Sequence, residues 1–237
     1  MIELDPRMYR ANQLNDTRQI ECARWNHLVY VRTLKCASEF FYRNFVENVG
    51  WQAVAYHTID WARDHVFSYI MNPLERRHKG LAERILQTGN ADLLDDTRFQ
   101  NLIEHVASLD LHSASLSITY GSHMWLIDWI PLEPLELWTD CTGLDHAVTN
   151  PAANLTDRLL RDAGHGPVPW KDEFLHTSWS GMREAYSKIK ATWNRNGTVP
   201  WETVEYFRQD LLLYDQVISR FNAGANTWDQ TSWLNNK

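Results

Sequence analysis

The residues best suited to chemistry lie in a short turn, Thr33-Leu34-Lys35-Cys36-Ala37-Ser38, set between an apolar run and an amphipathic one. Lys35 supplies a point charge and Ser38 a hydroxyl donor, the two kinds of group that hold a phosphate or a similar anion. Before the turn, Leu28-Val29-Tyr30-Val31 has the length and β-branched content of a buried parallel strand. After it, Phe40, Phe41, Asn44, Phe45 and Asn48 share one face at helical spacing, with Gly50 as the stop. A strand, a tight turn of small residues and a helix make a phosphate cradle, because backbone N–H groups at a helix N-terminus point at the anion and the helix dipole favours it. Glu39, in the first turn, suits the same dipole as a cap. The turn is not a GxxxxGK[ST] loop, since no glycine occurs between His27 and Val49.

A second strand-to-helix junction follows. Val66-Phe67-Ser68-Tyr69-Ile70 reads as a strand and Pro73 opens a helix. That helix carries the densest basic run of the chain, Arg76-Arg77-His78-Lys79. Taken alone, such a run reads as a solvated helix face.

Taken together, the two junctions resemble the phosphate motifs of the sulfotransferase superfamily, enzymes that use 3′-phosphoadenosine 5′-phosphosulfate (PAPS) as donor. The family's first loop is Pro-Lys-x-x-Ser/Thr; here Leu34 stands for the proline, and Lys35 and Ser38 match. Its second motif is Arg-Asp-Pro-x-x-Arg-x-x-Ser; here Asn72 stands for the aspartate, Pro73 and Arg76 match, Met71 replaces the first arginine and Lys79 the serine. Leu126-Ile127-Asp128-Trp129-Ile130 with Glu133 resembles a later strand of the family, and Tyr214-Asp215 its closing helix. The resemblance covers most of residues 27–221. It implies an α/β fold in one three-layer domain, with a central, mostly parallel sheet flanked by helices and a P-loop-like core. It also implies sulfuryl transfer to a hydroxyl acceptor, with PAPS as donor, 3′,5′-adenosine bisphosphate (PAP) as product and no metal. Lys35 would then meet the bridging oxygen of the donor. Ser38 and the backbone N–H groups of Cys36, Ala37, Ser38, Glu39 and Phe40 would hold the 5′-phosphate, and Arg76 and Lys79 the 3′-phosphate.

The acceptor hydroxyl must lose a proton, and histidine suits that task because its free pKa is near neutrality. Two positions are expected at the carboxyl ends of strands, where open parallel sheets bind ligands. His57 ends the strand read over Trp51–Ile59, next to the turn of the first strand; His112 lies in an acceptor-facing loop. Related carbohydrate enzymes place a catalytic glutamate or histidine near the first of these. His57, His65, His105 and His112 show no metal-ligand spacing such as HExxH. Two other readings stay open. A small-molecule kinase would need phosphate-loop glycines and a magnesium-binding carboxylate after a strand, neither of which is evident. A non-catalytic glycan- or protein-binding descendant would account for Met71 and Lys79.

The chain has 237 residues and a formal net charge of −7, which suits one α/β domain and argues against a nucleic-acid partner, since that calls for a broad basic face. A local basic patch in an acidic chain points instead to a small anionic ligand, and the other partner expected is a small-molecule or carbohydrate acceptor. Twelve tryptophans exceed what a core holds, so some are expected to line a groove; Trp61, Trp125, Trp129 and Trp179 are placed for stacking on sugar rings. Cys22, Cys36 and Cys141 form neither a disulfide framework nor a zinc pattern. With no apolar signal core and no membrane-length apolar run, the expected compartment is cytoplasmic, and the chain resembles the catalytic domain of Golgi carbohydrate sulfotransferases without their anchor.

These side chains need a scaffold. Residues 1–26 read as a polar arm, 27–221 as the core and 222–237 as a tail. Besides the elements named, the pattern predicts a helix over 73–87, a loop over 89–96, a helix over 98–109 capped by Thr97, and a strand over 125–130. Further on it predicts helices over 155–162 and 182–193. In the segment 200–221, Val204, Phe207, Leu211, Tyr214 and Ile218 form the expected core stripe.

Overall fold

A computed structural model describes residues 20–87, 114–132, 146–171, 182–195 and 205–222. The sequence expectations for 1–19, 89–96, 98–109, His112, Glu133, Trp179, Val204 and the tail beyond Asn222 lie outside these residues. The described chain is an α/β domain built on one mixed sheet of five strands.

The first strand, β1 (Glu21–Trp25), falls in what the sequence suggested was an arm. It turns through Asn26-His27 into β2 (Leu28–Val31), with Trp25 opposite Leu28. Asn26 takes a φ of 53°, the left-handed conformation that a two-residue hairpin needs and asparagine tolerates. On the far side of β1 lies β3 (Gln52–Ala55), and on the far side of β2 lie β4 (His65–Ile70) and β5 (Asp128–Pro131). The order is β3-β1-β2-β4-β5; β2, β4 and β5 are parallel, while β1 runs antiparallel to both its neighbours. The expectation of a mostly parallel sheet is therefore corrected to a mixed one, and the cause is the unforeseen hairpin.

Both faces of the centre of the sheet are buried, and β2 shows how. Leu28 and Tyr30 join one apolar cluster while Val29 and Val31 join another, as the two-residue repeat of a strand requires. The first face is covered by α1 (Ser38–Arg43), the π-helical turn Asn44–Asn48 that continues it, and α4 (His146–Asp162), through Phe40, Phe41, Phe45, Leu159 and Leu160. The second is covered by α3 (Leu116–Tyr120) and α6 (Arg208–Asn222), through Leu116, Tyr120, Leu213 and Val217. Two further helices, α2 (Pro73–Gln87) and α5 (Met182–Arg195), pack on each other.

The buried face at α6 is Phe207, Asp210, Leu213 and Val217, so Leu211, Tyr214 and Ile218 lie at its flank. Hydropathy missed this face because its centre is a carboxylate. The strand expected from Trp125 begins only at Asp128, after a 3₁₀ turn over Gly121–Trp125. No helix among the described residues is long and apolar enough to cross a membrane.

Candidate functional site

The turn after β2 has an uncommon backbone. Lys35 and Ala37 hold φ values of 66° and 53°, and Cys36 N–H donates to the Thr33 carbonyl at 3.2 Å. Left-handed conformations at residues other than glycine cost roughly 1–3 kcal/mol each and persist where the surroundings impose them. Turns with left-handed residues direct successive N–H groups into a concavity that favours anions. Ser38 opens α1 from a buried position. Cys36 is fully buried, and burial pushes its thiol up to about 11, against the pull of Arg76, the Met71 N–H and Lys79. Phe40 is buried and stacks on Trp170, so it serves the core through its ring. Glu39 pairs with Arg32, which also pairs with Glu21.

Three buried hydroxyls pin the start of the turn. Ser68 Oγ of β4 donates to the Val31 carbonyl at 2.6 Å, Thr33 Oγ1 lies 2.7 Å from Ser68 Oγ, and Tyr120 Oη of α3 lies 2.8 Å from Thr33 Oγ1. The helical end is pinned by Asn44, whose side chain bonds the Phe40 carbonyl and accepts from Lys171 N–H at 2.8 Å.

The second junction forms as the sequence suggested, with changed details. Asn72 caps α2, its side-chain oxygen accepting from the N–H groups of Leu74 and Glu75 at 3.0 and 3.3 Å. Met71, where the family motif has arginine, is buried in the first apolar cluster. The basic run is not a solvated face: Arg76, Arg77, His78 and Lys79 are all buried. Arg76 donates to the Ala114 carbonyl, and Arg77 lies over the Phe207 ring at 5.9 Å. Because β2 and β4 are parallel neighbours, their two turns open at the same edge. Arg76 and Lys79 thereby come close enough to act electrostatically on Cys36 of the first turn. Lys35 itself is paired with Glu83 of α2, a partner that the sequence reading did not foresee.

His57 stands elsewhere. It is exposed, in the 3₁₀ turn Tyr56–Thr58 at the end of β3. That is the same edge of the sheet, but β1 separates β3 from β2, so His57 lies about 10 Å to the side, two strand spacings, instead of next to the cradle. Of the aromatic candidates, Trp129 is buried and bonds the Met124 carbonyl, while Trp61 stacks on His123 with ring centres 4.2 Å apart. Among the described residues no group of histidine, cysteine and carboxylate side chains is arranged to hold a metal.

Beside the cradle lies a small pocket, lined by Glu21, Arg32, Thr33, Arg76, Thr119 and Tyr120, with Ile20, Leu34 and Leu116 as its apolar wall. No protein-family model matches this chain, and neither a search of curated proteins nor one of solved structures returns a similar protein. The site therefore rests on its own residues. Sequence reasoning missed Glu21, Glu83, Tyr120 and Asp210, each of which acts through partners on other elements, and Thr119, which bonds the Ser115 carbonyl within its own helix. The one available signal was Asp210, a carboxylate at the centre of an otherwise apolar helical face.

Proposed function

We propose that the protein transfers a sulfuryl group from PAPS to a hydroxyl acceptor, with a carbohydrate as the acceptor class. The observation that carries the reading is the parallel pairing of β2 with β4, because it brings the left-handed turn of Lys35 and the basic helix of Arg76 and Lys79 to one edge. In this reading Lys35 stabilises charge on the leaving oxygen, and Ser38 with the N–H groups of residues 36–40 holds the 5′-phosphate. Lys79 and Arg76 supply positive charge for the 3′-phosphate; Arg76, buried and bonded to Ala114, acts mainly through its field. The bond from sulfur to the phosphate oxygen breaks as the bond to the acceptor oxygen forms, and the acceptor proton passes to a base, with His57 and His112 as candidates. Lys35 must exchange Glu83 for the donor.

A second reading, a non-catalytic binding descendant, is favoured by Met71 in the core and by the internal partners of Lys35 and Arg76. Calorimetry separates the two. The first expects PAP to bind the full chain and to raise its melting temperature well beyond the effect of AMP or ATP. Equal effects of AMP and PAP remove the 3′-phosphate assignment, and no binding of PAP removes the transferase reading.

A further inference from the structure

Arg76 carries a full charge and has almost no surface, being 1 % exposed. A guanidinium has five N–H donors and does not give up its proton. Among the described residues this one makes a single side-chain hydrogen bond, to the Ala114 carbonyl, and no ion pair. Its Nε is buried without a partner. A buried charge left this way is costly, and native chains balance it with a carboxylate, a ligand or an ion.

Asp210 does not fill that role. Arg76 acts on it electrostatically, but its oxygens are taken up elsewhere. They accept from the Leu116 N–H at 2.6 Å, the Ser117 N–H at 3.0 Å and the Ser115 hydroxyl at 3.1 Å, at the start of α3. What Arg76 does border is the cavity beside Thr33, which Arg32 also lines. The Arg32 Nε is likewise buried and unpartnered, while its other nitrogens meet Glu21 and Glu39. Glu21 is the one carboxylate in the lining; it is half exposed and already bound to Arg32, so water and a cation both screen its charge. The cavity measures about 20 Å³, the room of one water or one monatomic ion. A tetrahedral phosphate or sulfate group exceeds it. A water there would accept a hydrogen bond but leave the charge of Arg76 unbalanced; a halide does both.

We propose that this cavity is a binding site for a single monatomic anion, chloride, held by Arg76 with Arg32 beside it. The bound ion sets how strongly Arg76 acts on the turn, which its field reaches at Cys36. The proposal is independent of sulfuryl transfer and uses no part of the donor.

The full-length protein is titrated with sodium chloride, with sodium gluconate holding the ionic strength constant, and followed by amide NMR at Thr33, Thr119 and Tyr120. Chloride is expected to shift these resonances saturably and to raise the melting temperature as it binds. Sulfate, added in place of chloride, is expected to do neither. Crystals grown in chloride and measured by long-wavelength anomalous scattering, which separates chloride from water, are expected to show the ion at the cavity. Arg76→Met keeps the length of the side chain and removes its charge, and is expected to lose the chloride response. Should that variant not fold, Glu21→Gln decides, because it removes the lining carboxylate from a half-exposed position. It is expected to tighten chloride by about threefold, the worth of one exposed ion pair. The proposal is overturned by the absence of a saturable chloride response, by an equal response to sulfate, or by a water at the cavity. A folded Arg76→Met that still binds chloride, or a Glu21→Gln that binds it no more tightly than the parent, overturns it as well.

Discussion

Lys35 combines two features that a core or surface lysine would not need. Its backbone is left-handed, and its ammonium is shared with Glu83, a side chain of a different element. A charge held this way stays at the turn until a donor displaces Glu83, and it is then beside the charge that develops in the reaction. Lys35→Ala is therefore expected to lower the rate of PAPS turnover on the order of 10²-fold or more, as loss of one preorganised donor does. PAP binding should weaken much less, because the interaction belongs to the transition state. The measurement is donor hydrolysis with PAP titration of the same variant. Unchanged turnover would rule out Lys35 in the role given to it.

At the scale of elements, the cradle is held by what lies around it: the hydroxyl chain through Ser68 and Tyr120 at one end, Asn44 and the segment ending at Lys171 at the other. Two left-handed residues persist between these anchors, and one gives a test. Ala37 precedes α1 with φ 53° and ψ 26°. Glycine adopts that conformation without the Cβ clash, so Ala37→Gly should leave the protein as stable or more stable by about 1 kcal/mol in urea unfolding. A clear loss of stability would mean that the turn does not have this backbone. The strands β2 and β4 and the helix from Pro73 were legible because their signals are local: β-branched runs and a proline start. β1 was not, because Glu21 to Trp25 is half polar in letters and becomes a strand only through pairing on both sides. The turn's lysine and serine were legible as types. That His57 would stand two strands away was not, since it follows from the strand order, which a hairpin outside the motif decides. The burial of Arg76 to Lys79 was also hidden, because it depends on α5 and α6 covering α2.

Over the whole molecule, that covering of α2 stores a pH dependence. His78 is buried among groups of both signs: Glu75 on its own helix, which also binds Tyr186 and Lys190 of α5, with Arg77 beside it. Burial is the largest influence and lowers the His78 pKa from 6.5 to about 4; Glu75 opposes this, while Arg77 and Lys190 add to it. The folded-state value is thus depressed below the unfolded one. A group of that kind contributes stability that is fully present above pH 6.5 and is lost as pH falls through the interval down to about 4, where the unfolded chain binds a proton that the native one refuses. A displacement of this size corresponds to on the order of 3 kcal/mol. Carboxylates titrate in the same interval, so the difference between two proteins is the useful quantity. Unfolding free energies of the parent and of His78→Gln, measured from pH 7 to pH 4, should converge as pH falls, the parent losing more. Parallel curves would show that His78 titrates normally and that α5 does not cover α2 as described. Convergence would place the basic run of α2 inside the protein. It would then act on the cradle as a fixed field and not as a solvated patch.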